Sequence, residues 1–191
     1  MKKIILASTS PRRLELIKLL GFPFEVFSQD VDESVQEKLL PEDMVQHLSF
    51  VKANAAAESL CNDSIIISAD TLVAMEQVIL GKPRDERDAF EALTILQNNW
   101  HRVCTGVTIR QKDTIKTFVC TTKVHMTAIS SEEILSYIKT GEPMDKAGSY
   151  AIQGRGSIFI DKIDGDYFNV VGLPVSMLYQ ALKSFLKYEE N

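Results

Sequence analysis

Three β-branched residues in succession, Ile65-Ile66-Ile67, constrain this chain more than any other stretch. Consecutive residues of a strand point to opposite sides, so an unbroken isoleucine run belongs to a strand covered on both faces. Helices supply such cover, which points to an α/β protein. The segment Ile4-Ile5-Leu6-Ala7 repeats the pattern near the start of the chain. Between and after these two strands the sequence alternates in kind. A helix is expected near 11–20, stopped by Gly21 with Pro23 beyond, and a strand from Phe24 to Ser28. Pro41-Glu42-Asp43 opens a long helix to about Leu60, with Val45, Leu48, Val51 and Ala55 as its apolar face.

Beyond Ile67 a hairpin is expected through Glu76-Gln77, then a turn at Leu80-Gly81-Lys82-Pro83 and a helix over 86–97. Val103 to Gln111 and Ile115 to Met126 read as two long antiparallel strands joined around Lys112-Asp113. Ser131 with Glu132-Glu133 caps a helix to about Thr140, 141–174 is rich in glycine and short strands, and a last helix covers 175–187. The expected fold class is α/β, with a mixed central β-sheet flanked by helices. At 191 residues, residues 1–191 form a single domain able to bury a sizeable core.

Composition excludes several functions. A net charge of −5 leaves no basic stripe for counterion release, which argues against a nucleic-acid partner. Cys61, Cys104 and Cys120 are odd in number and widely spaced, which suits a reduced, cytoplasmic setting. The apolar stretch at the N-terminus breaks at Ser8, short of a signal sequence, and no run reaches membrane-spanning length.

Chemistry concentrates first in Ser8-Thr9-Ser10-Pro11-Arg12-Arg13, directly behind the first strand. Pro11 suits the first helical position and Ser10 the N-cap. Two arginines in that first turn sit beside the positive helix end, at a cost of roughly 0.3–1 kcal/mol each. A docked anion removes the penalty and adds forked hydrogen bonds, so the segment reads as a phosphate grip; a solvated basic turn is the alternative.

Asp70 follows the isoleucine strand, where open α/β sheets place their crevices. There a carboxylate can hold a divalent metal, take a proton from water, or do both; a turn or cap aspartate is the structural alternative. Glu33, in the acidic loop Asp30-Val31-Asp32-Glu33, is a second candidate metal carboxylate, or a solvated charge. Lys82 sits in a tight turn that can aim it at a phosphate, although no P-loop motif is present. Lys52 lies beside the apolar face of its helix, to snorkel or to reach a phosphate pocket. His47, His101 and His125 have no metal-ligand spacing and read as structural.

Several motifs in order resemble the Maf family of nucleoside triphosphate pyrophosphatases. They are Leu6-Ala7-Ser8-Thr9-Ser10-Pro11-Arg12-Arg13, Ala69-Asp70-Thr71, Leu80-Gly81-Lys82-Pro83, the stretch Glu142 to Gly154, Asp164-Gly165-Asp166-Tyr167 and Val171-Gly172-Leu173-Pro174. The resemblance runs from about residue 4 to 180. It implies an inosine-triphosphatase-like fold with an active cleft between two lobes, and a cytoplasmic, homodimeric nucleotide diphosphatase. It implies a divalent cation, Mg2+ or Mn2+, with Asp70 as proton acceptor and Glu33 and Asp70 as metal carboxylates. Ser8, Ser10, Arg13, Lys52 and Lys82 are implied to bind the triphosphate, and Arg12, Thr71 and Gln153 to select the base.

The segment through Gln153 is similar to the branch acting on dTTP and UTP, with modified pyrimidine nucleotides in its range. The same chemistry on another nucleotide is one alternative. A non-catalytic nucleotide-binding regulator of cell division is the other, because the family is associated with septum formation. This chain departs from the family pattern at Gln97-Asn98-Asn99, where relatives often carry Leu-Ser-Gly.

Overall fold

A computed structural model of the protein describes residues 2–34, 39–60 and 63–186. Cys61 and the end of the last expected helix, at 187, lie outside the described residues. The strands are β1 (Ile4–Leu6), β2 (Phe24–Val26), β3 (Ile65–Met75), β4 (Val78–Leu80), β5 (Asn99–Gln111), β6 (Thr114–Met126) and β7 (Ile160–Asp164). The helices are α1 (Pro11–Lys18), α2 (Pro41–Ser59), α3 (Glu86–Leu96), α4 (Ser131–Ile138), α5 (Tyr167–Val171) and α6 (Val175–Leu186). The strands hydrogen-bond in one mixed sheet in the order β2-β1-β3-β5-β6-β7, with β4 on β3. No helix among the described residues is long and apolar enough to cross a membrane.

The chain divides into two compact units: Met1–Asp70 with Thr105–Cys120 and Gly172–Asn191, and Thr71–Cys104 with Thr121–Val171. In the first unit β1 pairs in parallel with β2 and with β3, in the register Leu6 to Val26 and Leu6 to Ile67. Ile4, Ile5, Leu6, Ile65, Ile66 and Ile67 are all buried, as an isoleucine run covered on both sides requires. Helix α2 packs on β5 at a distance only glycine permits: a Cβ on Gly106 would lie 2.2 Å from the Val45 carbonyl oxygen. The face that α2 buries is accordingly Val45, Ser49, Ala53 and Ala56, while Leu48, Val51 and Ala55 are half-buried. This rotates the expected apolar face, because small side chains are what fit where two backbones nearly touch. The Ser49 hydroxyl bonds Thr108 Oγ1 at 2.9 Å, and Ser68 Oγ donates to the Ser49 carbonyl at 2.6 Å, so the polar groups in this seam are satisfied.

The second unit closes around Leu93, Leu96, Val103, Val124, Met126, Ile134, Tyr137 and Phe159. Its hairpin turns at Glu76-Gln77 as expected, with Glu76 at φ +52° and Met75 opposite Val78. Ser130, not Ser131, caps α4. Its backbone N–H donates to Glu133 Oε2 at 2.7 Å and its Oγ accepts from the Glu133 N–H at 3.3 Å. The reciprocal pair needs a carboxylate three residues after the cap, which only Ser130 has. The stretch expected to form short strands holds one strand, β7, besides helix α5 and three 3-10 turns at 142–145, 147–149 and 155–159. Gln97-Asn98-Asn99 makes the connection from α3 to β5, with Asn98 at φ +54°, a left-handed position that asparagine tolerates.

Candidate active site

Asp70 does not end its strand, as the sequence suggested; it lies inside β3, which runs on to Met75. The reason is a change of partner. Parallel pairing with β1 stops at Leu6–Ile67, where the Ala7 N–H donates to the Ile67 carbonyl at 2.8 Å, and antiparallel pairing with β4 begins at Val73. Asp70 therefore stands past the carboxyl end of β1 while its own strand continues. That position still matches the crevice rule for open sheets.

Two carboxylates meet one ammonium there. Lys52 Nζ lies 2.6 Å from Asp70 Oδ1 and 3.0 Å from Glu33 Oε1. The Lys52 and Asp70 side chains are 19% and 15% exposed, so this contact is far better shielded than a surface ion pair. Lys52 thus neither snorkels to open water nor stands apart. It comes off α2 two turns beyond Val45, where the helix backbone meets Gly106 of β5. Glu33 comes from the loop after β2 and is the more exposed of the two acids, at 53%.

Arg13 braces the same strand. Its Nη1 donates to the Ala69 carbonyl at 2.8 Å and reaches Ser8 Oγ at 3.5 Å, and its Nε donates to the Gly172 carbonyl at 2.9 Å. One planar guanidinium so ties the loop after β1, the residue before Asp70 and the entry to α6. Burial lowers the Arg13 pKa from its ordinary value; Asp70 pulls it back up, the neighbouring Arg12 lowers it and Glu33 raises it. Arg12, Arg13, Asp70 and Glu33 hence share one field.

Ser10 occupies the N-cap position of α1 with extended backbone, φ −61° and ψ 117°, but its side chain makes no cap bond. Ser10 instead donates its N–H to Ser8 Oγ at 3.3 Å. The expected cap is present in position and missing in chemistry, which leaves two hydroxyls in the loop that precedes the positive end of α1.

Thr71, Lys82 and Gln153 belong to the second unit. Thr71 is half-buried in β3, Lys82 is exposed in the segment after β4, and Gln153 is exposed in the turn between Ala151 and the 3-10 turn at Arg155. Among the described residues no group of three or more His, Cys, Asp or Glu side chains is placed to hold a metal ion. Of the three histidines expected to be structural, His47 is exposed on α2, while His101 and His125 have side-chain partners. His101 Nε2 bonds the Tyr150 hydroxyl at 2.8 Å inside the second unit, and His125 pairs with Asp161. What sequence reasoning missed is the Arg13 anchorage. Val171-Gly172-Leu173-Pro174 was recognisable as a motif, but no local signal says that the Gly172 carbonyl serves an arginine 159 residues away.

Comparison with known proteins places nearly the whole chain beside one family. The model of a family described as Maf-like protein matches residues 3–185. A Bacillus cereus (strain ATCC 10987 / NRS 248) protein named dTTP/UTP pyrophosphatase is 50% identical over 185 residues, 97% of this chain and 91% of that protein. A protein of the same name from Bacillus anthracis (strain CDC 684 / NRRL 3495) is 49% identical, over 97% of this chain and 96% of its own length. Among solved structures, the Staphylococcus aureus Ham1 protein aligns with a TM-score of 0.57 at 14% identity, over 96% of this chain and 99% of that one. A HAM1 protein from Coxiella burnetii gives 0.55 at 12% identity, over 96% and 100%. At such low identity these two establish the shared mixed-sheet α/β fold alone.

Proposed function

Because this chain belongs to the Maf family, we propose that it is a nucleoside triphosphate pyrophosphatase converting dTTP and UTP to the monophosphate and pyrophosphate. Modified pyrimidine nucleotides fall within the same proposal. The observation that carries it is the convergence of Asp70 and Glu33 on Lys52, beside a strand braced by Arg13.

Asp70 engages Lys52 through Oδ1, so its other carboxylate oxygen takes the proton from the attacking water. The attack falls on the α-phosphorus and expels pyrophosphate. Lys52 orients the carboxylate, and Arg13 with Lys82 neutralises charge on the leaving group. Ser8 and Ser10 add hydroxyl donors at the start of α1, where the helix end favours an anion. Arg13 acts twice in this reading, as a phosphate partner and as the brace that holds Ala69 and hence Asp70 in place. Arg12, Thr71 and Gln153 are assigned to the base, and the amide of Gln153, both donor and acceptor, suits a pyrimidine edge.

The two carboxylates fit a divalent cation. They are hard oxygen donors already spaced to share one positive charge, and Mg2+ or Mn2+ is commonly held by one or two carboxylates with phosphate oxygens and water completing the shell. Such an ion supplies Lewis-acid stabilisation of the phosphates. The family resemblance also carries to this chain a homodimeric, cytoplasmic enzyme with residues 1–191 acting as one domain. Release of pyrophosphate from a panel of nucleoside triphosphates, with and without Mg2+ or Mn2+, tests the reading. The expected result is metal-dependent release with dTTP and UTP preferred; tight nucleotide binding without release would turn the protein into a binding regulator.

A further inference from the structure

Tyr137 and Glu142, from the end of α4 and the turn that follows it, hold both flanks of the turn that carries Gln153. On one side the Ala151 N–H donates to Tyr137 Oη at 3.1 Å. On the other, the Arg155 N–H donates to Glu142 Oε2 at 2.9 Å and the Gly156 N–H to Glu142 Oε1 at 3.0 Å. The two supports are joined, because the Tyr137 hydroxyl donates to Glu142 Oε1 at 2.7 Å. The approach is close: a Cβ on Gly154 would lie 2.3 Å from Glu142 Oε2, so a side chain there would push the carboxylate off its donors. Below the clamp the Tyr137 ring packs edge-on against Phe159 in the core of the second unit, with centroids 5.4 Å apart. Gln153, exposed at the top of this turn, thus projects from backbone fixed at residues 151, 155 and 156.

The chemistry of the clamp needs an ionised carboxylate. Three donors point at its two oxygens, and an amide in its place has one acceptor and an NH2 group facing donors. Burial by itself raises the Glu142 pKa, but the Gly156 N–H, the Tyr137 hydroxyl and the Arg155 N–H outweigh it and bring it below the usual carboxylate range.

We infer that Glu142, with Tyr137, is a positioning residue for base selection, holding the 151–156 turn so that Gln153 meets the pyrimidine edge in one orientation. This rests on the assignment of Gln153 to the base.

The experiment compares kcat/KM for UTP and CTP, which differ at the base edge a glutamine amide reads, in the full chain and in Glu142→Gln, Gln153→Ala and the double variant. The expected outcome is a fall in the UTP-to-CTP preference on the order of tenfold in each single variant, the worth of about one net hydrogen bond. The double variant should lose little more, since both changes remove the same contact. If Gln153→Ala leaves the preference unchanged, the assignment of Gln153 fails. If Gln153→Ala lowers it and Glu142→Gln reduces both substrates equally, Glu142 is structural only and the inference is overturned. Tyr137→Phe keeps the ring in the core and removes only the hydroxyl, so it repeats the test should Glu142→Gln not fold. A drop in preference there supports the clamp, and an unchanged preference with normal thermal stability contradicts it.

Discussion

Replacing Gly106 with alanine tests how the fold positions Lys52. The new Cβ would stand 2.2 Å from the Val45 carbonyl oxygen, 2.3 Å from its carbon and 2.7 Å from the Gln46 nitrogen. Carbon and oxygen settle at about 3.3–3.6 Å even in favourable contacts, so α2 must withdraw from β5 by about 1 Å. These neighbours are backbone, so no side chain can swing aside. Overpacking of this kind costs about 1–3 kcal/mol. The withdrawal also stretches the Ser49–Thr108 and Ser68–Ser49 bonds, now 2.9 and 2.6 Å, past useful length. Each lost bond adds about 1 kcal/mol, for a total of about 3–5 kcal/mol. In a chain of this size that lowers Tm by about 6–20 °C. The same movement draws Lys52 from Asp70, so turnover should fall as well. Differential scanning calorimetry and pyrophosphate release on the purified variant provide the readouts. A Tm within about 2 °C of the parent would refute the claim that backbone contact at Gly106 sets the seam.

The other expectations concern the site and its support. Asp70→Asn should retain UTP affinity by calorimetric titration and lose nearly all turnover, because an amide takes no proton from water. Arg13→Lys keeps the charge but cannot serve the Ala69 and Gly172 carbonyls with one fork; thermal melts should show a loss of about 1–3 kcal/mol, and steady-state assays a higher KM with a lower kcat. Stability should also follow His101, which is 2% exposed and whose pKa burial, with a smaller push from His125, lowers from 6.5 to about 4. The folded state resists protonating it, so its contribution is whole above pH 6.5 and is lost as pH falls toward 4. Urea midpoints should therefore show roughly 2 kcal/mol less stability at pH 5 than at pH 7.5 from this group. His101→Gln should flatten that dependence, and an unchanged slope would remove His101 as its source.

The sheet's parallel half was legible because Ile4-Ile5-Leu6 and Ile65-Ile66-Ile67 leave no other way to bury both faces. Local chemistry also marked the Glu76-Gln77 hairpin and most helix starts. Where the reading slipped, the deciding residue lay far along the chain. The buried face of α2 is set by Gly106, some sixty positions beyond Val45, whose absent side chain favours serine and alanine over leucine at the seam. Asp70 was recognisable as a chemical group, but its strand runs on because β4 replaces β1 as partner. Ser10 and Ser131 show the other kind of miss. Both were sound cap residues, yet Ser10 Oγ makes no cap bond and Ser130 wins by having Glu133 three positions on. Glu142 was legible only as the start of a motif and not as a clamp, since its carboxylate finds its donors 13 and 14 residues later.

The most direct measurement of the central claim is hydrolysis of UTP in heavy-oxygen water, followed by phosphorus NMR and mass spectrometry of the products. Attack on the α-phosphorus with Asp70 as base gives equal amounts of UMP and pyrophosphate, with the heavy oxygen in UMP alone. UDP with free phosphate, or heavy oxygen in the pyrophosphate, would contradict it.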